Sequence, residues 1–249
     1  MEAWGLTDTG NVREENQDFY RMERLGPETL LAVVCDGMGG ARAGNVASRL
    51  ACEVFCGEVC RSLRDGMTEA EEQDVLCTAA KLANISVYEH AQLSDEFRGM
   101  GTTLVGAFVQ GGSASIMNVG DSRAYIMSGG MLHQISEDHS YVEEMRRLGR
   151  ISEADARSHP QKNLITRAVG VDATVEGDLF EQTLADGDIL LLCSDGLTGM
   201  VEDGKIAEVL AGAGTLEDKG RELLTLALEG GGRDNITVAL FTCGAKQEA

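Results

Sequence analysis

The sequence predicts an α+β fold in which stacked sheets are covered by helices. Three observations carry this. Strand-like runs such as LLAVVC (30–35), TLVGAFVQ (103–110) and ILLLC (189–193) are apolar on consecutive residues, as in strands buried on both faces. Amphipathic helices come in pairs, two long ones early in the chain and two shorter ones near its end. The strands between them follow one another directly, so the regular strand–helix alternation of a parallel α/β fold is missing.

The elements follow in order. Asp18 precedes the run FYRMERL, and LLAVVC comes next. Ala43, Val46, Ala47, Leu50, Ala51, Val54, Phe55 and Val59 recur at i, i+3, i+4 and mark the first long helix. Val75, Leu76, Ala79, Ala80, Leu82, Ala83 and Val87 mark the second, with Thr68 and Glu71 spaced as a capping box. TLVGAFVQ, ASIMNVG (114–120) and RAYIMS (123–128) then succeed one another, and Gly111-Gly112 and Gly129-Gly130 sit where hairpin turns belong. Residues 139–170 are polar, with short helical pieces and no long apolar face, and read as a surface flap. After ILLLC come a helix on Ile206, Val209 and Leu210, another on Leu223, Leu224, Ala227 and Leu228, and the strand ITVALF (236–241). No linker, composition break or repeat divides the chain, so 1–249 reads as one domain, long enough to bury a core without disulfides.

Charge excludes whole classes of partner. With 21 Lys+Arg against 41 Asp+Glu, the net charge of −20 argues against nucleic acid and against an anionic membrane surface. The opening MEAWGLTDTGNVREENQD has neither the basic nor the apolar region of a signal peptide. The longest apolar runs are six residues or so, against roughly 20 needed to cross a bilayer. The seven cysteines form no C-x-x-C pair, and Cys52, Cys56 and Cys60 recur every four residues as small buried hydrophobes on one helix face. A reducing cytoplasm is the simplest home, with no membrane insertion.

The chemistry lies in where the aspartates fall. LLAVVC runs into Asp36-Gly37, ILLLCS into Asp195-Gly196 and ASIMNVG into Asp121, while Asp234 and Asp18 stand just before strands. In antiparallel sheets the end of one strand lies beside the start of its neighbour, so five carboxylates are expected at one end of a sandwich. A single Asp-Gly is more often a turn; the repetition beside apolar strands is what matters. Five clustered carboxylates repel unless cations intervene, and Mg²⁺ or Mn²⁺ suit oxygen ligands with several retained waters. Glycine beside a carboxylate lets a backbone carbonyl ligate too. No EF-hand loop, P-loop or G-x-S-x-G motif occurs.

These residues resemble the metal-dependent serine/threonine protein phosphatases of type 2C, in their compact bacterial form. The resemblance runs nearly end to end: Thr7-Asp8-x-Gly10-x-x-Arg13-x-x-Asn16-Gln17-Asp18, Cys35-Asp36-Gly37-Met38-Gly39-Gly40, Gly44-x-x-Ala47-Ser48, Gly101-Thr102-Thr103, Asn118 to Tyr125, Asp138-His139-Ser140, Ser194 to Thr198 and Arg233 to Val238. It implies a four-layer α-β-β-α sandwich with two central, mostly antiparallel sheets and helix pairs outside. It implies two Mn²⁺ or Mg²⁺ ions bridged by Asp36, one held by Asp195 and Asp234, the other by the Gly37 carbonyl, with Asp18 completing the site through water. Arg13 matches a phosphate-binding arginine, and Asp121 matches a ligand of a third, weaker site shared with Asp195.

The implied reaction is hydrolysis of phosphoserine and phosphothreonine by a metal-bridging water, without a phosphoenzyme. The implied partners are phosphorylated proteins, a cognate Ser/Thr kinase among them. Two positions depart from the wider family. Met38 stands where many members outside bacteria carry a histidine, which leaves the proton donor open among a metal-bound water, His139 and His159. Gly199 stands where members often have a third-ion aspartate. A low-turnover phosphoprotein-binding module of the same fold and a small-molecule phosphatase are the alternative readings.

Overall fold

The computed structural model describes residues 1–39, 43–64 and 66–242, with residues 157 and 158 by backbone alone. The chain runs β1 (Glu2–Asp8), β2 (Asp18–Gly26), β3 (Thr29–Met38), α1 (Ala43–Ser62), α2 (Glu69–Ala91), β4 (Gly101–Thr102), β5 (Leu104–Gln110), β6 (Ser113–Val119), β7 (Arg123–Ser128) and β8 (Met131–Gln134). It continues with α3 (Tyr141–Arg147), α4 (Glu153–Ser158), β9 (Asp178–Thr183), β10 (Ile189–Cys193), α5 (Asp195–Thr198), α6 (Asp203–Ala211), α7 (Leu216–Glu229) and β11 (Ile236–Thr242). One antiparallel sheet has the order β1-β11-β10-β7-β8, the other β2-β3-β5-β6-β9, with β4 also paired to β3.

The consecutive apolar residues are explained by what lies on each face. Along β3, Leu30, Ala32 and Val34 point between the sheets and meet Leu190, Leu192, Ala239 and Phe241 of the facing sheet. The alternate residues Leu31, Val33 and Cys35 pack under α1 and α2. On the facing sheet, Leu191, Cys193, Val238 and Leu240 pack under α5, α6 and α7. The result is the four-layer sandwich that the resemblance implies. Burying a Leu or Val side chain fully contributes about 1.5–3 kcal/mol, so central strands with two buried faces dominate the core.

Local chemistry sets the helices. Thr68 and Glu71 form the expected capping box of α2, and Thr215 and Asp218 form another on α7. The buried face of α1 begins Ala43, Gly44, Ala47, Ser48, Ala51, and these small residues let it lie close to β3. On α7, a Cβ at Gly220 would come within 1.9 Å of the Trp4 ring, so this glycine makes room for the indole of β1. The hairpin glycines Gly111, Gly112, Gly129 and Gly130 all have positive φ, as the turns require. Cys52 and Cys56 are buried and Cys60 partly so, as expected of packing residues. Among the described residues no helix is long and apolar enough to cross a membrane.

Residues 139–170 leave the sandwich as a polar excursion containing α3 and α4. Its two legs are tied at the base: Tyr141 N–H donates to the Leu164 carbonyl at 2.8 Å, Thr166 N–H to the His139 carbonyl at 2.8 Å, and Val169 bridges to Thr102. Gly40 of the sequence motif lies outside the described residues.

Candidate active site

Strand order brings the aspartates to one end of the sandwich. In the second sheet Asp18 and Asp36 face each other across the β2–β3 pair. In the first sheet β10 and β11 are antiparallel neighbours, so Asp195, just after one, and Asp234, just before the other, meet at the same end. Asp121 sits on the turn between β6 and β7. Asp36, Asp121, Asp195 and Asp234 line one cavity of about 230 Å³, together with Gly37 and Arg13. Asp18 lies behind that wall. The strand carrying Asp36 extends two residues past it because Gly37 pairs with Thr102 of β4.

Each carboxylate has its own mount. Asp18 Oδ2 accepts from the Ser194 and Thr237 hydroxyls, both at 2.6 Å, while its Oδ1 is buried without a partner. The Asp36 backbone is held by Thr103, whose Oγ1 accepts from Asp36 N–H at 2.9 Å and whose N–H donates to the Asp36 carbonyl at 2.9 Å. Asp195 Oδ1 is also buried and unpartnered. Asn235 pins the Arg13 loop: its Nδ2 donates to the Thr9 and Glu15 carbonyls at 2.9 and 3.0 Å, and its Oδ1 accepts from Gln17 N–H at 2.8 Å. In that loop, a Cβ on Gly10 (φ +77°) would sit 2.2 Å from the Asp234 carbonyl, so glycine is required for both conformation and space. Arg13 donates to Asp234 Oδ2 at 2.7 Å, and the Asp234 bond raises its pKa against the opposing effect of burial.

The electrostatics are those of several buried carboxyls crowded together. Burial first, then the charges of Asp18, Asp195, Asp121 and Asp234, push Asp36 well above the carboxylate range. Asp18 is raised to about 7, chiefly by burial, with Asp195 and Asp234 adding to it against the two hydroxyl bonds. Asp121 is raised to about 8 by burial and then by Asp195 and Asp138. Asp195 is raised by burial and then by the charge of Asp234, against lowering effects of Asp36, Arg13 and Arg123. A divalent cation among such carboxyls would favour their ionised forms. Among the described residues no three His, Cys, Asp or Glu side chains converge into a ready-made ion cage. The donors are oxygen-only, two buried carboxylate oxygens are unpartnered, and there is cavity space for water. These features suit a hard ion that keeps much of its hydration shell.

The match to known proteins covers nearly all of this frame: residues 11–226 match the model of the family described as protein phosphatase 2C. The chain belongs to that family. The type 2C phosphatase is 40% identical to the serine/threonine phosphatase Stp of Listeria monocytogenes, over 96% of this chain and 95% of the relative. Its fold is similar to that of the serine/threonine phosphatase Stp1 of Staphylococcus aureus, with a TM-score of 0.90, 39% identity and coverage of 98% and 95% of the two chains. It is also similar to the catalytic domain of the phosphatase PstP, solved in complex with two manganese ions, with a TM-score of 0.82, 33% identity and 96% coverage of each chain. This type 2C phosphatase is accordingly a metal-dependent serine/threonine phosphoprotein phosphatase.

Other residues are placed less simply. His139 is buried and engaged at both ring nitrogens. His159 caps α4 in the flap and does not line the cavity. Neither therefore stands ready as a proton donor. Gly199 lines a larger neighbouring cavity of about 680 Å³ between the flap and α5–α6, and a Cβ there would come within 2.9 Å of the Asp195 carbonyl oxygen. Cys193 is fully buried, and its thiol is pushed up to about 12 by burial, so it is core rather than nucleophile. Sequence reasoning missed Asn163 and Ile165 of the flap, which line the aspartate cavity, and the hydroxyls of Ser194 and Thr237 that hold Asp18. Ser194 and Thr237 each adjoin a motif aspartate or strand start and were legible as hydroxyls; Asn163 carried no local signal.

Proposed function

We propose that Asp36 holds two Mn²⁺ or Mg²⁺ ions, with Asp195 and Asp234 on one, the Gly37 carbonyl on the other and Asp18 acting through water. Asp121 and Asp195 would hold a third ion more weakly. The observation that carries this reading is the gathering of Asp36, Asp121, Asp195 and Asp234 around a single cavity with Asp18 buried opposite Asp36 on the neighbouring strand, where burial first and then these charges raise Asp36. When bound, such ions supply a water of lowered pKa for in-line attack on phosphorus and neutralise charge on the phosphoryl oxygens.

The chain's own residues do the rest. Arg13, half exposed at the cavity and tied to Asp234 by one exposed ion pair worth about 0–1 kcal/mol, is free to turn its fork onto phosphate oxygens. Asn163 and Ile165 bring the flap to the cavity wall, where a bound phosphoprotein would meet them. With both histidines engaged elsewhere, the leaving seryl or threonyl oxygen takes its proton from water. Residues 1–249 act as one catalytic domain in the cytoplasm, with 139–170 as its flap. The substrates are phosphoproteins, a cognate Ser/Thr kinase among them. The test is turnover of a phosphothreonine peptide in excess chelator, then after return of Mn²⁺ or Mg²⁺. Activity that vanishes and returns supports the reading; full turnover with metal removal verified by elemental analysis refutes it.

A further inference from the structure

The turn that presents Asp121 cannot anchor itself. Gly120 has φ +110°, and a Cβ there would lie 2.6 Å from the Thr103 side chain, so the residue before the carboxylate must be bare. Its backbone is gripped from outside instead. Gly120 N–H donates to His139 Nδ1 at 3.0 Å, and His139 N–H donates to the Gly120 carbonyl at 2.9 Å. Asn118 Nδ2 adds a bond to the same carbonyl at 3.3 Å.

The partners of the ring fix its tautomer. A backbone amide can only donate, so Nδ1 carries no proton and Nε2 carries one. Nε2 lies 3.1 Å from Asp178 Oδ2, the acceptor that fits this tautomer, and also 3.1 Å from Arg167 Nη1; since Nδ1 already accepts from the amide, Nε2 donates to Asp178 and the guanidinium stands beside it on the same carboxylate. Asp178, the first residue of β9, also accepts from Arg167 Nη1 at 2.7 Å. Arg167 belongs to the return leg of the flap, whose Thr166 N–H donates to the His139 carbonyl at 2.8 Å. Burial opposes ionisation of Asp178, but the His139 and Arg167 bonds outweigh it and hold its carboxyl below the usual range.

We propose that His139 is a positioning residue for Asp121. As the Nε2–H tautomer set by Asp178, it holds the Gly120–Asp121 turn so that the carboxyl faces the cavity, and it ties that turn to the base of the flap. The arrangement parallels an outer partner that orients a metal ligand, although here the ring acts through backbone rather than on the carboxylate itself. The inference rests on the reading of Asp121 as a carboxylate of the weaker ion site.

The test compares the wild type with His139→Phe, His139→Asn and Asp121→Ala. Mn²⁺ binding is followed by calorimetry, p-nitrophenyl phosphate kinetics by kcat and KM, and folding by thermal melting. His139→Phe fills the space without an acceptor. It should weaken the last Mn²⁺ to bind by about 10-fold, the lower end for loss of a ligand-orienting partner, and lower kcat with KM unchanged. His139→Asn, whose side-chain oxygen falls near the place of Nδ1, should recover most of that loss. Nitrogen NMR of the wild type should show His139 as the neutral Nε2–H tautomer, a measurement that stands even where the Phe variant fails to fold. A wild-type Mn²⁺ titration in folded His139→Phe, an Asn variant as impaired as Phe, or a protonated Nδ1 would each overturn the proposal. If Asp121→Ala itself leaves the weak phase intact, the reading of Asp121 falls and the role of His139 falls with it. If Asp121→Ala removes that phase while His139→Phe does not, only the positioning role is lost.

Discussion

Stripping the divalent ions should unsettle this fold far more at pH 8 than at pH 5. Asp18 is raised from the ordinary 3.8 to about 7 and Asp121 from 3.8 to about 8, in both cases first by burial. A carboxyl raised in this way keeps its proton in the native state and loses it in the unfolded chain. The native state then binds more protons, so stability falls as pH rises from the unfolded value to the folded one. Each such proton costs up to about 1.4 kcal/mol per pH unit, or together about 5 kcal/mol between pH 5 and pH 7. For a chain of this size that corresponds to a Tm lower by roughly 10 °C or more. The assay is thermal melting in excess chelator from pH 5 to 8, repeated with Mn²⁺. Bound cations favour the ionised carboxylates, so the metal-loaded protein should lose this slope. Asp18→Asn keeps an oxygen for Ser194 and Thr237 but cannot ionise, so without metal at pH 8 it should melt above the wild type. A metal-free Tm that is flat or rising from pH 5 to 8 would refute the reasoning.

Asp36→Asn and Asp234→Asn should each lower kcat/KM for a phosphopeptide by at least about 10²-fold, the scale for loss of a key charge-stabilising group; wild-type rates in metal-saturated variants would remove these residues from the site. Arg13→Ala should raise KM for phosphopeptide and p-nitrophenyl phosphate alike, and Arg13→Lys should restore only part, since lysine lacks the planar fork; steady-state kinetics with both substrates checks this. Substitutions at Arg146, Arg147 or Arg150 in the flap should change turnover of phosphopeptides more than of p-nitrophenyl phosphate, and equal losses on both would count against the flap as the selector of substrates.

The sequence revealed most about the centre of the molecule. Strands β3, β5, β6, β10 and β11 carry apolar residues on both faces because each lies between helices and a facing sheet, and that burial is written as uninterrupted hydrophobicity. Strands β1, β8 and β9 are sheet edges without a single fully buried residue, and their alternation is too weak to read. The aspartates were legible for the same reason as the central strands: Asp36 and Asp195 follow such runs directly, and antiparallel order predicts their meeting. The mounts were not. That Asp18 stands behind the cavity on the hydroxyls of Ser194 and Thr237 depends on contacts 176 and 219 residues apart, and no local pattern encodes such distances. His139 shows the same limit, since only the folded chain reveals that both its ring nitrogens are occupied.

Whether Asp36 bridges a two-ion centre is read most directly by anomalous scattering at the manganese edge from crystals grown with Mn²⁺. Two strong peaks are expected to flank the Asp36 carboxylate, one of them also against Asp195 and Asp234 and the other against the Gly37 carbonyl. Strong peaks that leave Asp36 without contact, or a single ion bound away from this cavity in an active crystal, would contradict that bridge.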